Sequence, residues 1–303
     1  MKKYFSLIAV FLMASASALA SEKLRVVATY ETFAEIGRQV GGPNVEVKAL
    51  ANGSWDPHFV DAKPSYLVAL HKADALLLNG LELEVGFLPP LLQQSGNAKI
   101  QAGAPGYVDL SRFIAPIEIP KGGVDRSMGD IHPYGNPHTE TDPHNVGRVA
   151  DEVARRLAAI DPAGAATYQA RGADFSKRWT SAIAGWERRA APLRGMEIVT
   201  HHVAWVYLAH WLGLVDVAHL EPKPGIPPSA SSLAQLLATL AGHHPRAIVR
   251  LAYEPERPSL WLSERLTIPA LVLPHAPAAT DDAKDLFTLY DGVIDRLLKA
   301  QRP

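Results

Sequence analysis

The sequence predicts an α/β protein of two lobes, each built on a mostly parallel central sheet, with one long helix joining them. Three observations favour this class. Short apolar runs alternate with amphipathic segments, as in strand–helix–strand units. Near the middle of the chain, no proline occurs between Pro162 and Pro192. After Gly195 the alternation of apolar and amphipathic segments resumes.

The first half of the chain contains four predicted strands, at residues 24–30, 45–50, 75–79 and 99–102. Amphipathic segments between them predict helices at 31–40, 64–73 and 84–94. A further helix is expected to begin at Asp142-Pro143, because aspartate is a favoured N-cap and proline fits the first helical turn. That helix runs to about Ile160.

One long amphipathic helix is predicted over residues 162–193. Its large apolar side chains recur at spacings of three, four and seven, which places them on one face: Tyr168, Phe175, Trp179, Ile183 and Trp186. The helix is either an extra packing layer or a stiff link between lobes at 21–161 and 194–303. The second lobe has predicted strands at 197–201, 215–219, 247–251 and 270–273, and predicted helices at 203–212, 231–243, 255–267 and 282–301.

The N-terminus is typical of an export signal. Lys2 and Lys3 precede a short apolar run, and Ala18-Leu19-Ala20 fits the small-residue cleavage rule. We therefore expect residues 1–20 to be a signal peptide that is cleaved after Ala20, which places the mature chain in the periplasm. The chain has no cysteine, which argues against disulfides, thiolate metal sites and a lipid anchor on a cysteine.

Charge and motifs exclude several functional classes. Without Lys2 and Lys3, 28 of the 30 basic residues remain against 31 acidic ones, so the mature net charge is −3. This balance does not suggest a nucleic acid or an anionic membrane as a partner. The chain also lacks His-Glu-x-x-His, a P-loop, the dinucleotide glycine pattern and Gly-x-Ser-x-Gly.

The twelve histidines are the distinguishing feature of the sequence. Ligands of α/β sheets bind beyond the carboxyl ends of the strands. His58 follows the second predicted strand, His138 precedes a helix, and His202 lies where a strand ends. His275 and Asp281 follow the last predicted strand. These places suit a metal site in a cleft between the lobes, and imidazoles with a carboxylate favour zinc, whereas manganese favours more oxygen ligands.

Three further histidines need separate interpretation: the adjacent pair His201 and His202, and His144. His201 and His202 are adjacent on a predicted strand, so they point to opposite sides and only one of them reaches a given site easily. His144 follows the helix start at Asp142-Pro143, and we interpret it as structural because the first turn of a helix disfavours a cation.

Four segments carry a resemblance to a known family. They read WDPHFVDAKPSYLVALHKADALLLNGLELE, GNPHTETDPHN, THHVAWVYLAHWLGL and EPKPGIPPSASSLAQL, in that order. The mature chain resembles the periplasmic zinc-binding, or solute-binding, proteins of metal ABC transporters, the TroA-like or cluster 9 family. This family has two α/β lobes that are joined by a single backbone helix.

The resemblance implies the metal ligands. It places them at His58, His138 and His202, and histidine at the third position is typical of zinc rather than manganese. The fourth ligand falls on Asp281, with Asp282 or His275 as alternatives. The implied cargo is one Zn²⁺ per chain, and the implied partner is the membrane permease of an ABC transporter. Glu82, Glu84, Asp216 and Glu221 are candidate acceptors for the second nitrogen of a ligand imidazole.

The segment before His138 departs from many zinc-binding relatives, because their long histidine-rich loop is reduced here to one histidine, His132. The short form resembles most the AztC type, whose partners include a periplasmic metallochaperone. We expect the glycine-rich loop at 121–135 to be mobile. His132 then either assists metal capture or is merely exposed. Thr139-Glu140-Thr141 also replaces the usual aromatic and leucine, which leaves the packing behind His138 open.

The sequence therefore predicts a monomeric, non-enzymatic protein that captures zinc with high affinity and delivers it to an ABC importer. Two alternatives stay open. One is a manganese-binding protein of the same fold. The other is a periplasmic zinc-dependent hydrolase, for which Glu140 is the candidate general base.

Overall fold

The first lobe is built around a four-stranded parallel sheet in the computed structural model, which describes residues 22–301. Its strands are β1 (Leu24–Tyr30), β2 (Val45–Ala51), β3 (Ala75–Leu78) and β4 (Tyr107–Asp109). Their order is β2-β1-β3-β4, with Val26 opposite Val47 on one side and Ala75 on the other. Helices α1 (Glu31–Gly41), α2 (Pro64–Lys72), α3 (Leu88–Ser95) and α4 (Pro143–Ile160) complete this lobe. The predicted signal peptide lies outside the described residues.

The long helix α5 spans Ala165–Ala190, 26 residues, and continues as a 3-10 turn over Ala191–Leu193. It begins three residues later than the pattern predicts, since Pro162 to Gly164 form a turn. The five apolar side chains predicted for one face are all buried. Helix α5 packs against α1 and α4 of the first lobe.

The second lobe repeats the arrangement of the first. Strands β5 (Glu197–Thr200), β6 (Val215–His219), β7 (Ala247–Arg250) and β8 (Ala270–Val272) form a parallel sheet in the order β6-β5-β7-β8. Its helices are α6 (Val206–Leu212), α7 (Ala230–Thr239), α8 (Glu256–Leu266) and α9 (Leu286–Gln301). The two-lobed α/β class is therefore confirmed, and all six pairs of neighbouring strands among residues 22–301 are parallel.

An aromatic cluster links α5 to the second lobe. Trp179 and Trp186 of α5 both pack on Phe287 and Tyr290 of α9, with ring centroids 5.0 to 6.4 Å apart. The indole of Trp179 also donates to the carbonyl of Pro143, 2.7 Å away, at the start of α4. One helix thus packs on elements of both lobes.

The predicted strand at 99–102 is wrong. Ala98–Ile100 forms a 3-10 turn instead, and the side chain of Asn97 accepts a hydrogen bond from the Lys99 amide at its start. The fourth strand is Tyr107–Asp109, which pairs with β3. At three residues it is too short to show the alternation that reveals a strand in sequence.

Helix α3 begins at Leu88, four residues later than predicted. Just before the predicted start at residue 84, Gly80, Leu81 and Glu82 all have positive φ, at 82°, 54° and 65°. A right-handed α-helix does not adopt such values. The carboxylate of Glu84 instead turns back on this segment and accepts from the amides of Asn79 and Gly80 at 2.6 and 3.2 Å. The chain therefore forms a tight turn where β3 ends.

Among residues 22–301, no helix combines the length and apolar character that a bilayer crossing requires.

Candidate metal centre

His58 lies in the loop between β2 and α2, held by the preceding aspartate. The carboxylate of Asp56 accepts from the His58 amide at 2.9 Å and from its Nδ1 at 2.8 Å. Since a carboxylate only accepts, Nδ1 carries the proton of the neutral imidazole and Nε2 carries the lone pair. That Nε2 is buried without a hydrogen-bond partner, so it is free to bind a metal.

His138 is positioned by a chain of hydrogen bonds that starts at the end of β3. Glu84 holds the amide of Asn79, and the Asn79 side chain donates to the carbonyl of Pro137 at 2.9 Å. The side-chain oxygen of Asn136 accepts from the His138 amide at 3.0 Å. Thr139-Glu140-Thr141 forms a 3-10 turn, in which the Thr141 hydroxyl donates to the His138 carbonyl. Polar contacts thus support His138 where relatives are expected to use apolar packing.

His202 follows β5 in the second lobe. Its Nδ1 donates to Glu221 Oε2 at 2.7 Å, and the same oxygen accepts from the Gly225 amide at 2.8 Å. The lobes meet beside this residue, because the Asn136 side chain donates to the carbonyl of Val203 and the Tyr207 hydroxyl donates to the carbonyl of Asn136. His202 and His138 are therefore fixed relative to each other across the cleft.

The three histidines converge. One candidate ligand atom of each lies within 4.8 Å of the others, and the ring centroids are 5.2 to 5.7 Å apart. In a tetrahedral zinc site, bonds of about 2.0–2.1 Å place ligand nitrogens roughly 3.3 Å apart. The rings therefore need to close by no more than about 1.5 Å to hold such an ion. His58 and His138 come from the first lobe and His202 from the second.

Burial keeps the imidazole of His138 neutral. Burial, and then the neighbouring His58 and His202, hold the pKa of His138 well below its usual 6.5. Burial alone would raise the pKa of the Asp56 carboxyl, but its hydrogen bonds and charge interaction with His58 lower it overall. A carboxylate thus faces one nitrogen of His58, while the ring of His138 is held in its neutral form.

His132 is a fourth imidazole beside this cluster. Its ring centroid lies 5.5 Å from that of His58, and its Nε2 is buried without a hydrogen-bond partner. Burial and then His58 lower its pKa to about 4. The ligand atoms of His58, His138 and His202 form a tighter group that does not include it.

The loop that carries His132 is docked on the second lobe. The Asp130 amide donates to the carbonyl of Pro224 at 2.9 Å, and Lys223 Nζ donates to the carbonyl of Ser127 at 2.8 Å. A cavity of about 330 Å³ remains beneath it, and His132, His138 and His202 are among its lining residues.

Asp281, the predicted fourth ligand, is exposed and does not join the histidine group. Asp282, one alternative, is also exposed and pairs with Arg296 at 2.8 Å. His275, the other alternative, is 3% exposed, and neither of its ring nitrogens has a hydrogen-bond partner. Its ring stacks on Tyr30 with centroids 5.7 Å apart. The structure thus brings the three predicted histidines together, and the predicted carboxylate Asp281 lies outside that group.

The four predicted acceptors have different roles. Glu221 binds His202 directly, and Glu84 acts through Asn79. Asp216 accepts from the Thr200 hydroxyl at 2.8 Å instead of from a ligand, while Glu82 is exposed. The acceptor of His58, Asp56, was not predicted, although the adjacent sequence Asp-Pro-His contains the signal.

Glu140, the candidate general base of a hydrolase, is buried, with one carboxylate oxygen unpartnered. Burial raises its pKa to about 8. A group that is protonated at neutral pH is a poor general base there.

His144 lies in the first turn of α4, outside the histidine group. Asp142 caps α4 by accepting from the His144 amide at 2.8 Å, with Pro143 in the first turn.

Two sheets that place histidines from both lobes in one cleft, with a single long helix between them, define a two-lobed metal-binding protein. The family model described as "ZnuA: Zinc-uptake complex component A periplasmic" matches residues 26–300, and the chain belongs to that family. The family is named for an uptake component rather than for an enzyme. Within it, the comparisons do not distinguish the AztC type.

Curated relatives differ in the metal that their names carry. The chain is 26% identical to the zinc-binding lipoprotein AdcA of Streptococcus pneumoniae, over 76% of this chain and 46% of AdcA. It is 25% identical to the iron-binding protein YfeA of Yersinia pestis, over 74% of this chain and 71% of YfeA. The manganese ABC transporter substrate-binding lipoprotein PsaA of Streptococcus anginosus is 26% identical, over 58% of this chain and 55% of PsaA. The chain thus spans about half the length of AdcA, and these names leave the metal open.

Solved structures share the fold. A crystal structure of ZnuA superimposes with a TM-score of 0.73 at 23% identity, covering 91% of this chain and all of that one. A zinc-bound deletion mutant of ZnuA that lacks residues 138–173 superimposes with a TM-score of 0.76 at 23% identity, covering 93% of this chain and 99% of that one.

Proposed function

We propose that the protein captures Zn²⁺ with high affinity and delivers it to the membrane permease of an ABC importer. The observation that carries this proposal is the cluster of His58, His138 and His202, whose ligand atoms lie within 4.8 Å of one another. Two of these imidazoles have a carboxylate on Nδ1, which leaves Nε2 as the donor and increases its basicity.

Selectivity follows from the donor set. Three neutral imidazoles suit zinc, whereas manganese favours carboxylate and water oxygens. Family relatives named for zinc support this choice, and those named for manganese and iron support only metal binding in general. We propose one zinc ion per chain at this cluster, in a monomeric protein of the periplasm.

The fourth position is proposed for Asp281, which requires the exposed loop after β8 to move toward the cluster. His275 is the competing candidate, because both of its nitrogens are buried and unpartnered. His132 is proposed as an accessory ligand that meets zinc before or after the other three. A periplasmic metallochaperone is a proposed partner at the loop that carries His132.

Capture is expected to be a local closure rather than a large rotation. Helix α5 packs on elements of both lobes, and the lobes are bonded to each other beside His138 and His202. Ligand nitrogens then approach one another by at most about 1.5 Å as they reach tetrahedral geometry.

Competition titration tests the proposal. Chelator-treated protein is titrated with zinc and with manganese against a chromophoric chelator, for the natural chain and for His138→Ala and His202→Ala. We expect one tight zinc equivalent, much weaker manganese binding, and loss of the tight equivalent in both variants. Zinc affinity that both variants retain would place the site elsewhere. Turnover of ester or phosphate substrates would instead support the hydrolase.

A further inference from the structure

A second chamber adjoins the histidine cluster, and His58 and His202 are among its lining residues. It has a volume of about 140 Å³ and is lined from both lobes. We define the acidic chamber by five of its lining residues: Asp56, Asp130, His201, Glu221 and Glu254. No lysine or arginine is among its lining residues within 22–301.

Two of these side chains are buried without partners for one of their polar atoms. His201 is 2% exposed, and its Nδ1 has no hydrogen-bond partner. Glu254 is 7% exposed; its Oε2 accepts from the Leu251 amide at 2.6 Å, but its Oε1 has no partner. Buried polar groups are normally hydrogen-bonded, so an unpartnered nitrogen and an unpartnered oxygen at one chamber point to a ligand.

The backbone explains why His201 lies at this chamber rather than in the histidine cluster. Its amide donates to Val249 of β7, and its carbonyl accepts from the Glu221 amide. Successive residues at the end of a strand project to opposite sides. His202 therefore joins His58 and His138, while His201 does not belong to that group.

The chamber adjoins the first site through shared residues. Asp56 and Glu221 each use one oxygen to hold a ligand histidine, and both also line the chamber. Arg250 lies beside Glu254, and its guanidinium donates to the carbonyls of Leu251 and Glu254 and to the Glu256 carboxylate.

We propose that the acidic chamber is a second, weaker binding site for a divalent cation, with His201 Nδ1 and Glu254 Oε1 as its direct ligands. Within residues 22–301, only His58, His138 and His202 form a group of three with ligand atoms inside 4.8 Å. A cation in the chamber therefore keeps part of its water shell. The chamber has room for an ion together with water molecules. Asp56 and Glu221 bind that water rather than the ion.

The test is calorimetric titration of the chelator-treated full chain with ZnCl₂. The natural chain should bind two equivalents of different affinity. His201→Gln and Glu254→Gln should each weaken the second equivalent by about tenfold or more and leave the tight one unchanged. His138→Ala should do the reverse, which separates this proposal from that for the first site.

Controls address folding and adventitious binding. His210→Gln removes an exposed imidazole of α6 and should change neither equivalent. Glu254→Asp retains a carboxyl group on a shorter side chain and should weaken the second equivalent less than Glu254→Gln. Thermal melts verify that each variant is folded. The proposal is overturned if the natural chain binds a single equivalent, if the second equivalent survives His201→Gln and Glu254→Gln, or if His210→Gln abolishes it.

Discussion

Replacing Asp56 should weaken zinc binding, while the same replacement at Asp142 should leave it unchanged. The two aspartates occupy identical Asp-Pro-His tripeptides with nearly identical local geometry. Asp56 accepts from the amide and Nδ1 of His58 at 2.9 and 2.8 Å, and Asp142 accepts from those of His144 at 2.8 and 2.9 Å. Only His58 lies in the metal cluster.

The expected magnitude follows from the hydrogen bond between Asp56 and His58. In Asp56→Asn the amide oxygen still accepts, but the bond loses its charge. Charged hydrogen bonds contribute about 1.5–3 kcal/mol and neutral ones about 0.5–1.5 kcal/mol. The loss of about 1–1.5 kcal/mol corresponds to a zinc Kd about tenfold weaker. Asp56→Ala also releases the ring orientation, and we expect a loss near the upper end of the 10- to 100-fold range for such partners, about 100-fold.

The assay is zinc competition with a chromophoric chelator at fixed pH, run on Asp56→Asn, Asp56→Ala and the matching pair at Asp142. Asp142→Ala should lose about 0.5–2 kcal/mol of stability through its missing N-cap, which denaturant unfolding measures, at unchanged zinc affinity. Equal losses of affinity at both aspartates, or none in Asp56→Ala, would refute the assigned role of Asp56.

Three further predictions concern stability and lobe contact. Burial raises the pKa of Asp216 from its usual 3.8 to about 7, so the folded state retains a proton between pH 4 and 7 that the unfolded state has lost. The free energy of unfolding therefore falls as pH rises through this window, and Asp216→Asn should remove up to about 1.4 kcal/mol per pH unit of that fall. Denaturant unfolding at several pH values measures it. The same pH profile of stability in the natural chain and in Asp216→Asn would contradict this prediction. A Cβ on Gly53 would lie 1.8 Å from the Pro277 carbonyl oxygen, so Gly53→Ala should lower the free energy of unfolding by about 1–3 kcal/mol. Thermal melts measure the loss. Gly185 in α5 has open space around it, so the control Gly185→Ala should not destabilise the protein. Trp179→Ala should cost about 3–5 kcal/mol; under 1 kcal/mol would mean that α5 does not depend on this contact.

Local chemistry determined much of the fold in advance. The apolar face of α5, the N-cap at Asp142-Pro143 and most strands follow from periodicity and from capping, which depend on neighbours in the chain. The two elements that the sequence placed wrongly, the start of α3 and the strand β4, share a cause: contacts outside the element itself define them. The turn after β3 depends on Glu84 binding back to Asn79 and Gly80, and β4 is defined by pairing with β3 rather than by its own three residues.

The predicted ligand histidines rested on spacing and on resemblance, and the structure decided which rings meet. The tripeptide Asp-Pro-His imposes the same ring orientation at His58 and His144, because one carboxylate captures both the amide and Nδ1. The fold carries one of these rings into the cleft and leaves the other on a helix end.

The sequence by itself determined the two-lobed class, the long helix and the candidate histidines, since these depend on residue type and local order. Only the tertiary structure decided that the loop of His132 docks on the second lobe, that Asp281 is exposed, and that His201 lines a separate acidic chamber. Those outcomes depend on contacts between residues far apart in the chain, and local patterns carry no information about such contacts.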